Sequence, residues 1–208
     1  MNTGNWPSRF AFPAALLIHL AASSAFAASP EFDVQESSVR TAWVLSFVGA
    51  LTALFFAFRF FRWMIRQDEG DPLMIRIADN VRAGAKAYLN RQYKVVVLFF
   101  LGTAVVLAIV AYGFQAQSKW VPFAFITGGL FSGLAGWFGM RTATLASSRT
   151  AAAARESLNN GLQVAFRSGA VMGLVVVGLA LLDISLWFAV LYWVAGMGLA
   201  EITVTMLC

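Results

Sequence analysis

Cysteine and histidine are almost absent from this sequence, which has one residue of each, Cys208 and His19. A disulfide needs two cysteines and a Cys/His zinc site needs several ligands, so neither can form within the chain. A Ser/His/Asp triad is excluded as well, because His19 lies in a segment interpreted below as a secretory signal. The phosphate-binding pattern G-x-x-x-x-G-K-[ST] does not occur either.

Charged residues are also scarce. They make up 12% of the 208 residues, whereas soluble domains carry roughly 25%, and hydrophobic residues make up 60%. The apolar residues form long runs and do not alternate around a compact core, so lipid is needed to cover them. The composition therefore predicts an all-α membrane protein with the lipid bilayer as its partner.

The first segment, about residues 1–28, has the pattern of a secretory signal peptide. Arg9 precedes an apolar stretch, and Ala25-Phe26-Ala27 then fits the small-x-small rule for signal peptidase. The alternative is an uncleaved first span. Pro13 and an apolar core about half the length of a bilayer crossing favour cleavage.

Four transmembrane spans are predicted in the membrane part, residues 29–208. Trp43 and Trp63 lie about 30 Å apart along a helix, which matches the hydrocarbon thickness, and they flank the first uncharged run. The spans are predicted at about 41–61, 94–116, 120–148 and 164–195, with a further helix starting at about 202–208.

Asp183 divides the fourth region into two uncharged runs, 168–182 and 184–200. Two crossings joined by a turn need about 40 residues, more than these runs supply, so one long helix is favoured over two spans. Such a helix extends beyond the bilayer and places Asp183 near or past the far interface, where a carboxylate costs little. The alternative is an aspartate paired inside the bundle.

Basic residues lie mostly on one side of the predicted membrane. They follow spans one and three: Arg59, Arg62, Arg66, Arg76, Arg82, Lys86, Arg91, Lys94, Arg141, Arg149, Arg155 and Arg167. By the positive-inside rule, the mature N-terminus lies outside a cell (inner or plasma) membrane, and a cleaved secretory signal requires the same. The formal net charge of +5 is thus mostly topological, and nucleic acid is not expected as a partner.

The segment after span one predicts a helix that begins at Asp71-Pro72, with Asp71 as N-cap and Pro72 in the first turn. It is an amphipathic lead-in to span two. Phosphate contact by its basic residues is an alternative, but such residues beside a span more often mark topology and contact lipid headgroups. We expect Asp68, Glu69 and Asp71 to form a solvated turn, because no further carboxylates complete a cation shell.

Small residues recur four positions apart in spans three and four. The pairs are Gly129 and Gly133, Ser132 and Gly136, and Gly169 and Gly173. This spacing lets helix backbones approach closely. So much close-packing surface on four spans predicts further partner helices in a larger bundle.

Three segments in order also form a recognisable set. They are Ile77 to Tyr93, which contains Gly84-Ala85-Lys86-Ala87-Tyr88-Leu89-Asn90-Arg91-Gln92; Gly139 to Thr144 with Arg149-Thr150-Ala151; and Gly161 to Gly173. They resemble motifs of the membrane-integral, ion-pumping inorganic pyrophosphatases in sequence, order and spacing. The resemblance covers about Ala42 to Cys208.

The resemblance implies a homodimeric multi-span pump that hydrolyses pyrophosphate as a Mg²⁺ complex at the cytoplasmic face, with K⁺ as an optional cofactor. Protons or sodium ions would move outward. The site of that family lies in aspartate-rich and lysine-bearing motifs on later helices, and none of them occurs here. Ile202 to Cys208 resembles the start of the fifth helix. The chain is therefore expected to be the N-terminal portion of the pump, to have no catalytic, cofactor-binding or metal residue, and to be inactive alone.

Two other functions stay open. A free-standing four-span membrane adaptor or assembly protein without enzymatic activity would fit the packing faces and the missing site. A small channel or transporter of another class is disfavoured, because the spans hold almost no ionisable residues to line an ion path. The choice between protons and sodium, and the need for K⁺, are not decided by these residues.

Overall fold

The computed structural model describes residues 36–114 and 117–207. Residues 40–208 form one compact unit, which contains all the described helices except for residues 36–39 at the start of the first one. The predicted signal at 1–28 lies outside the described residues, so its presence and cleavage stay predictions.

Five α-helices follow one another in the described chain, without a strand between them. They are α1 (Glu36–Ile65), α2 (Pro72–Ala108), α3 (Val121–Glu156), α4 (Leu158–Ala189) and α5 (Leu199–Leu207). A π-helical turn extends α2 over Ile109–Gly113, and another extends α4 over Val190–Val194. Helices α1 to α4 are long and apolar enough to cross a membrane. The predicted fold class, an all-α membrane protein, is confirmed.

Each of the helices α1 to α4 overlaps one predicted span and extends beyond it at one end or both. A span prediction counts apolar residues, whereas a helix continues for as long as its backbone hydrogen bonds are satisfied. Helix α2 therefore includes the amphipathic lead-in from Pro72, and α3 continues to Glu156. Helix α4 passes Asp183 without a break, as predicted for one long helix, although it ends before residue 200.

Side-chain caps fix the start of two helices. The Asp71 carboxylate accepts a hydrogen bond from the Met74 amide at 2.9 Å, and Pro72 occupies the first turn, as predicted. Ser157 is the single residue between α3 and α4, and its hydroxyl accepts a hydrogen bond from the Asn160 amide at 3.1 Å. The chain can therefore reverse direction within one residue.

Helices α3 and α4 form an antiparallel hairpin. Near its closed end Gly161 lies against Ala154, and toward its open end the Trp187 indole donates to the Thr127 hydroxyl at 2.6 Å. A side chain at position 161 would place its Cβ 2.9 Å from the Ala154 Cα. Only glycine allows this approach.

Helix α1 packs along this hairpin. Ala57 belongs to a buried cluster with Ala135 of α3 and with Val171 and Val175 of α4. A second cluster, nearer the C-terminal end of α1, joins Met64, Ala146 and Val164. The α1, α3 and α4 helices thus share one apolar core.

Helix α2 packs on the other side of α3. The Tyr93 hydroxyl donates to the Gly133 carbonyl at 2.7 Å, and the Phe100 ring stacks on Phe125 with centroids 4.9 Å apart. The phenyl ring of Phe100 also occupies the space that a side chain at Gly129 would need. At Gly129 the missing side chain thus makes room for a ring of α2, which is a side-chain contact and not the backbone approach that the glycine spacing predicted.

The Gly169 and Gly173 pair has no such neighbour. No described atom lies within 4 Å of the position that a Cβ would take at either residue. Large apolar side chains elsewhere are equally open, with Leu98 74% and Phe166 79% exposed. These four helices alone leave much apolar surface for lipid or further helices to cover.

Asp183 lies against α3, half-buried, rather than projecting past the helices. Its carboxylate is 3.4 Å from where a Cβ on Gly128 would be. Gly128 itself lies about 10 Å along the axis of α3 from the first residue of that helix. Whether Asp183 lies near the far membrane interface or is paired inside the bundle therefore stays a prediction. Because Gly128 has no side chain, α3 leaves space there for the Asp183 carboxylate of α4.

We expect Gly161→Ala to lower the thermal stability of the full chain, with a cost of roughly 1 to 3 kcal/mol from the clash with the Ala154 backbone. Gly169→Ala on the same helix is the matched control when residues 1–208 are measured alone, and it should then leave the midpoint unchanged or raise it slightly. Thermal unfolding in detergent measures both. Equal effects of the two substitutions would contradict the close contact.

Candidate functional site

The polar end of the bundle contains the residues with the most specific contacts. Here the loop 66–71 between α1 and α2 meets the first turns of α2 and the C-terminal part of α3. The sequence predicts no catalytic, cofactor-binding or metal-ligating residue, and this loop was expected to be a solvated turn.

Arg149 on α3 holds the end of α1. Its Nε donates to the Ile65 carbonyl at 3.3 Å and to the Gln67 carbonyl at 3.2 Å, and one terminal nitrogen donates to the Leu145 carbonyl at 2.6 Å. The last carbonyls of a helix have no partner within the helix, so a buried donor from another helix stabilises them. Arg149 thus acts as a C-cap supplied by α3.

Glu69 completes this arrangement by joining two arginines. One carboxylate oxygen is 2.6 Å from Arg149 and the other is 2.9 Å from Arg82 of α2. The side chains of Arg149 and Glu69 are only 7% and 23% exposed, so the pairs are shielded from water. The expectation of a solvated turn is wrong for Glu69, because its two partners come from elements distant in sequence.

Arg82 carries charge-assisted contacts on both sides. Besides Glu69, it pairs with Asp79 one turn earlier at 2.9 Å. Partial burial works to lower the pKa of the Arg82 guanidinium, but the hydrogen bonds that it donates to Glu69 and Asp79 outweigh this and raise the pKa. Arg82 is therefore a fixed positive charge linking α2 to the loop.

Asp71 has a second role beyond the predicted cap. Its other carboxylate oxygen accepts from Arg155 of α3 at 2.7 Å. The Met74 amide and then the Arg155 guanidinium hold the pKa of the Asp71 carboxyl below its ordinary value. Just before it, Gly70 has a φ of 92°, a conformation that side chains rarely adopt and that turns the chain into α2.

The cluster of Glu69, Arg82, Arg149, Asp71 and Arg155 is held together by ion pairs. Within the described ranges, no group of three His, Cys, Asp or Glu side chains could hold a metal ion. Each carboxylate of the cluster already contacts an arginine. The arrangement can fix the register of α1, α2 and α3, and it leaves no free carboxylate at its centre to act as an acid or base.

The three motif segments meet through these contacts. The first contributes Arg82, the second contributes Arg149, and Glu69 bridges them. The second and third touch where Gly139 lies against Met172. The other basic residues of the first segment, Lys86 and Arg91, do not join the cluster and are exposed.

Sequence reasoning treated Arg149 as a topology signal and missed its role. One signal was available, since Arg149 lies among Ala146, Ser147, Ser148 and Ala151, small residues that let an arginine lie along the helix. Its partner carbonyls could not be inferred, because backbone groups carry no residue identity.

Comparisons with known proteins agree on one family. The family described as inorganic H⁺ pyrophosphatase matches residues 51–207. A protein of Bacteroides thetaiotaomicron, provisionally named a K⁺-stimulated pyrophosphate-energized sodium pump, is 60% identical over 144 residues, which are 69% of this chain and 20% of that protein.

More distant relatives have related names. The K⁺-insensitive pyrophosphate-energized proton pump 2 of Moorella thermoacetica is 42% identical over 142 residues, 68% of this chain and 20% of its own length. The pyrophosphate-energized membrane proton pump 3 of Arabidopsis thaliana is 32% identical over 168 residues, 74% of this chain and 21% of its own length. The chain spans about a fifth of the length of these curated relatives.

We expect Arg149→Lys to destabilise the protein by roughly 2 kcal/mol or more, because a lysine ammonium cannot reach two carbonyls and a carboxylate in the geometry of the guanidinium fork. Denaturation in mixed micelles measures the free energy of unfolding. Arg141→Lys is the control, since the Arg141 side chain is exposed and lies over the Trp137 ring, with its guanidinium carbon 5.1 Å from the ring centroid. If Arg149→Lys lowers the free energy of unfolding no more than Arg141→Lys does, the capping role is contradicted.

Proposed function

This chain belongs to the inorganic H⁺ pyrophosphatase family, and we propose that it forms the N-terminal membrane portion of a pump that couples cytoplasmic pyrophosphate hydrolysis to outward proton or sodium transport. The observation that carries this proposal is the match over residues 51–207, which contains all three motif segments and most of the four span-length helices. The names of the relatives, which are proton or sodium pumps energised by pyrophosphate, support it.

The role of these residues in the pump is structural. Their cluster of arginines and carboxylates holds the loop 66–71 against α3 and fixes where α2 leaves the membrane. The catalytic work, with Mg²⁺ and in some members K⁺, would fall to parts of the protein beyond those matched here. The described residues include no carboxylate cluster suited to Mg²⁺.

Two features support further helices as partners. Gly169 and Gly173 present an open packing face on α4, and large apolar side chains are exposed on every span-length helix. Lipid would cover part of this surface, and the remaining helices of the same pump would cover the glycine face. A homodimer is the expected assembly of the whole pump.

Orientation follows from charge. The loop 66–71, the lead-in of α2 and the junction between α3 and α4 carry most of the basic residues, so they would lie in the cytoplasm and the mature N-terminus outside the plasma or inner membrane.

Activity provides the main test. We expect proteoliposomes that contain the complete gene product to hydrolyse pyrophosphate only with Mg²⁺, and to acidify their lumen or accumulate ²²Na⁺ as they do so. Residues 1–208 alone, reconstituted at equal density, should do neither. Titration with K⁺ distinguishes a K⁺-stimulated from a K⁺-insensitive pump. A complete product without hydrolysis, or hydrolysis by residues 1–208 alone, would refute the proposed division of labour.

Topology is tested separately. A reporter fused after Lys94 should be active in the cytoplasm, and one fused after Lys119 should be active outside, because α2 crosses the membrane between them. A paired alkaline phosphatase and fluorescent protein fusion at each position measures both sides. The reverse pattern would overturn the orientation.

A further inference from the structure

A cavity beside the C-terminal end of α1 is surrounded by four arginines. Arg59 and Arg62 extend from α1, Arg66 follows it, and Arg167 reaches across from α4. The cavity has a volume of about 570 Å³. It lies apart from the cluster around Glu69, which uses none of these side chains.

These four arginines lack carboxylate partners in the described chain. Arg82, Arg149 and Arg155 each pair with Glu69 or Asp71, whereas no ion pair involves any of the four around the cavity. Like charges gathered without a counterion repel one another, so an anion from outside the described residues would stabilise them.

Aromatic rings hold two of the guanidinium groups in place. Arg167 lies 3.7 Å from the centroid of the Trp63 ring, and Arg62 lies 5.4 Å from the centroid of the Phe58 ring. A cation–π contact positions a guanidinium through its face and leaves its N–H groups at the edge free to donate. The side chains are therefore oriented while their hydrogen-bonding capacity is unused.

The remaining wall of the cavity is apolar. Phe55 and Phe58 line it and are 62% and 58% exposed. Phe55 lies one helical turn from Arg59 toward the middle of α1, about 6 Å along the axis. The site thus passes from cationic at the end of the helix to apolar toward its centre, the polarity profile of a phospholipid at the edge of a bilayer.

We propose that this four-arginine cavity binds the headgroup of an anionic phospholipid, with the phosphodiester between the guanidinium groups and an acyl chain along Phe55 and Phe58. Arginine forks match the geometry of phosphate oxygens. A soluble phosphate would satisfy the arginines but would leave the two phenylalanine rings uncovered. The bound lipid would join α1 to α4 at this end of the bundle, and this role does not depend on pyrophosphate hydrolysis.

The test measures lipid binding to the purified full chain. Delipidated protein is titrated with phosphatidylglycerol or phosphatidylcholine, and bound lipids are counted by native mass spectrometry. We expect tighter binding of phosphatidylglycerol. Arg62→Gln/Arg167→Gln should weaken it about 25-fold, since each arginine near an anionic headgroup contributes about a fivefold change in affinity and the two factors multiply.

Arg76→Gln/Arg91→Gln is the matched control. It removes the same charge from exposed arginines of α2 that line no part of the cavity. The affinity for phosphatidylglycerol should therefore change by less than about twofold. Arg59→Gln/Arg66→Gln is a second test variant, and it should also weaken phosphatidylglycerol binding. Neither arginine has a cation–π contact in the described chain, so its loss removes no packing between helices and should leave the fold intact. Arg62→Lys/Arg167→Lys should restore only part of the binding, because a lysine ammonium keeps the charge but lacks the guanidinium fork.

Three outcomes would overturn the proposal. The first is equal weakening by the cavity and control variants, which would indicate attraction by total charge. The second is equal binding of the two lipids by the unmodified chain. The third is displacement of phosphatidylglycerol by inorganic phosphate or pyrophosphate, which would identify a site for a soluble anion.

Discussion

The buried guanidinium of Arg149 is the interaction on which this end of the structure depends. Helix α1 ends at Ile65, and its last carbonyl groups must find donors where the chain leaves the membrane. Loop amides bond the Trp63 and Met64 carbonyls, while Arg149 of α3 donates to the Ile65 and Gln67 carbonyls and pairs with Glu69 at the same time. One side chain thereby sets the end of α1, the path of the loop 66–71 and the start of α2.

The other contacts follow from that placement. Once Glu69 is held, its second oxygen meets Arg82, and Asp71 can cap α2 while it contacts Arg155. The one-residue turn at Ser157 then brings α4 back along α3, with Gly161 against Ala154. Two kinds of contact hold the four long helices together. One is the polar cluster at one end of the bundle, and the other is the apolar core of small side chains along the helices.

Arginines serve two distinct purposes in this bundle. Arg82, Arg149 and Arg155 are satisfied by carboxylates and carbonyls of the chain itself. Arg59, Arg62, Arg66 and Arg167 gather around a cavity that is partly apolar and have no carboxylate partner in the described ranges. The distinction is invisible to a count of positive charges, because all seven contribute equally to the positive-inside rule.

The amino-acid sequence determined the helical fold class, the continuity of the fourth long helix and the start of α2 at Asp71-Pro72, because hydropathy, length and capping are local properties. It also carried the three motif segments that indicate the family. Only the tertiary structure decided the partners of Glu69 and Arg149, the position of Asp183 against Gly128, and which arginines lack a carboxylate. These depend on which helix faces meet, and helix faces meet through packing between residues far apart in the chain.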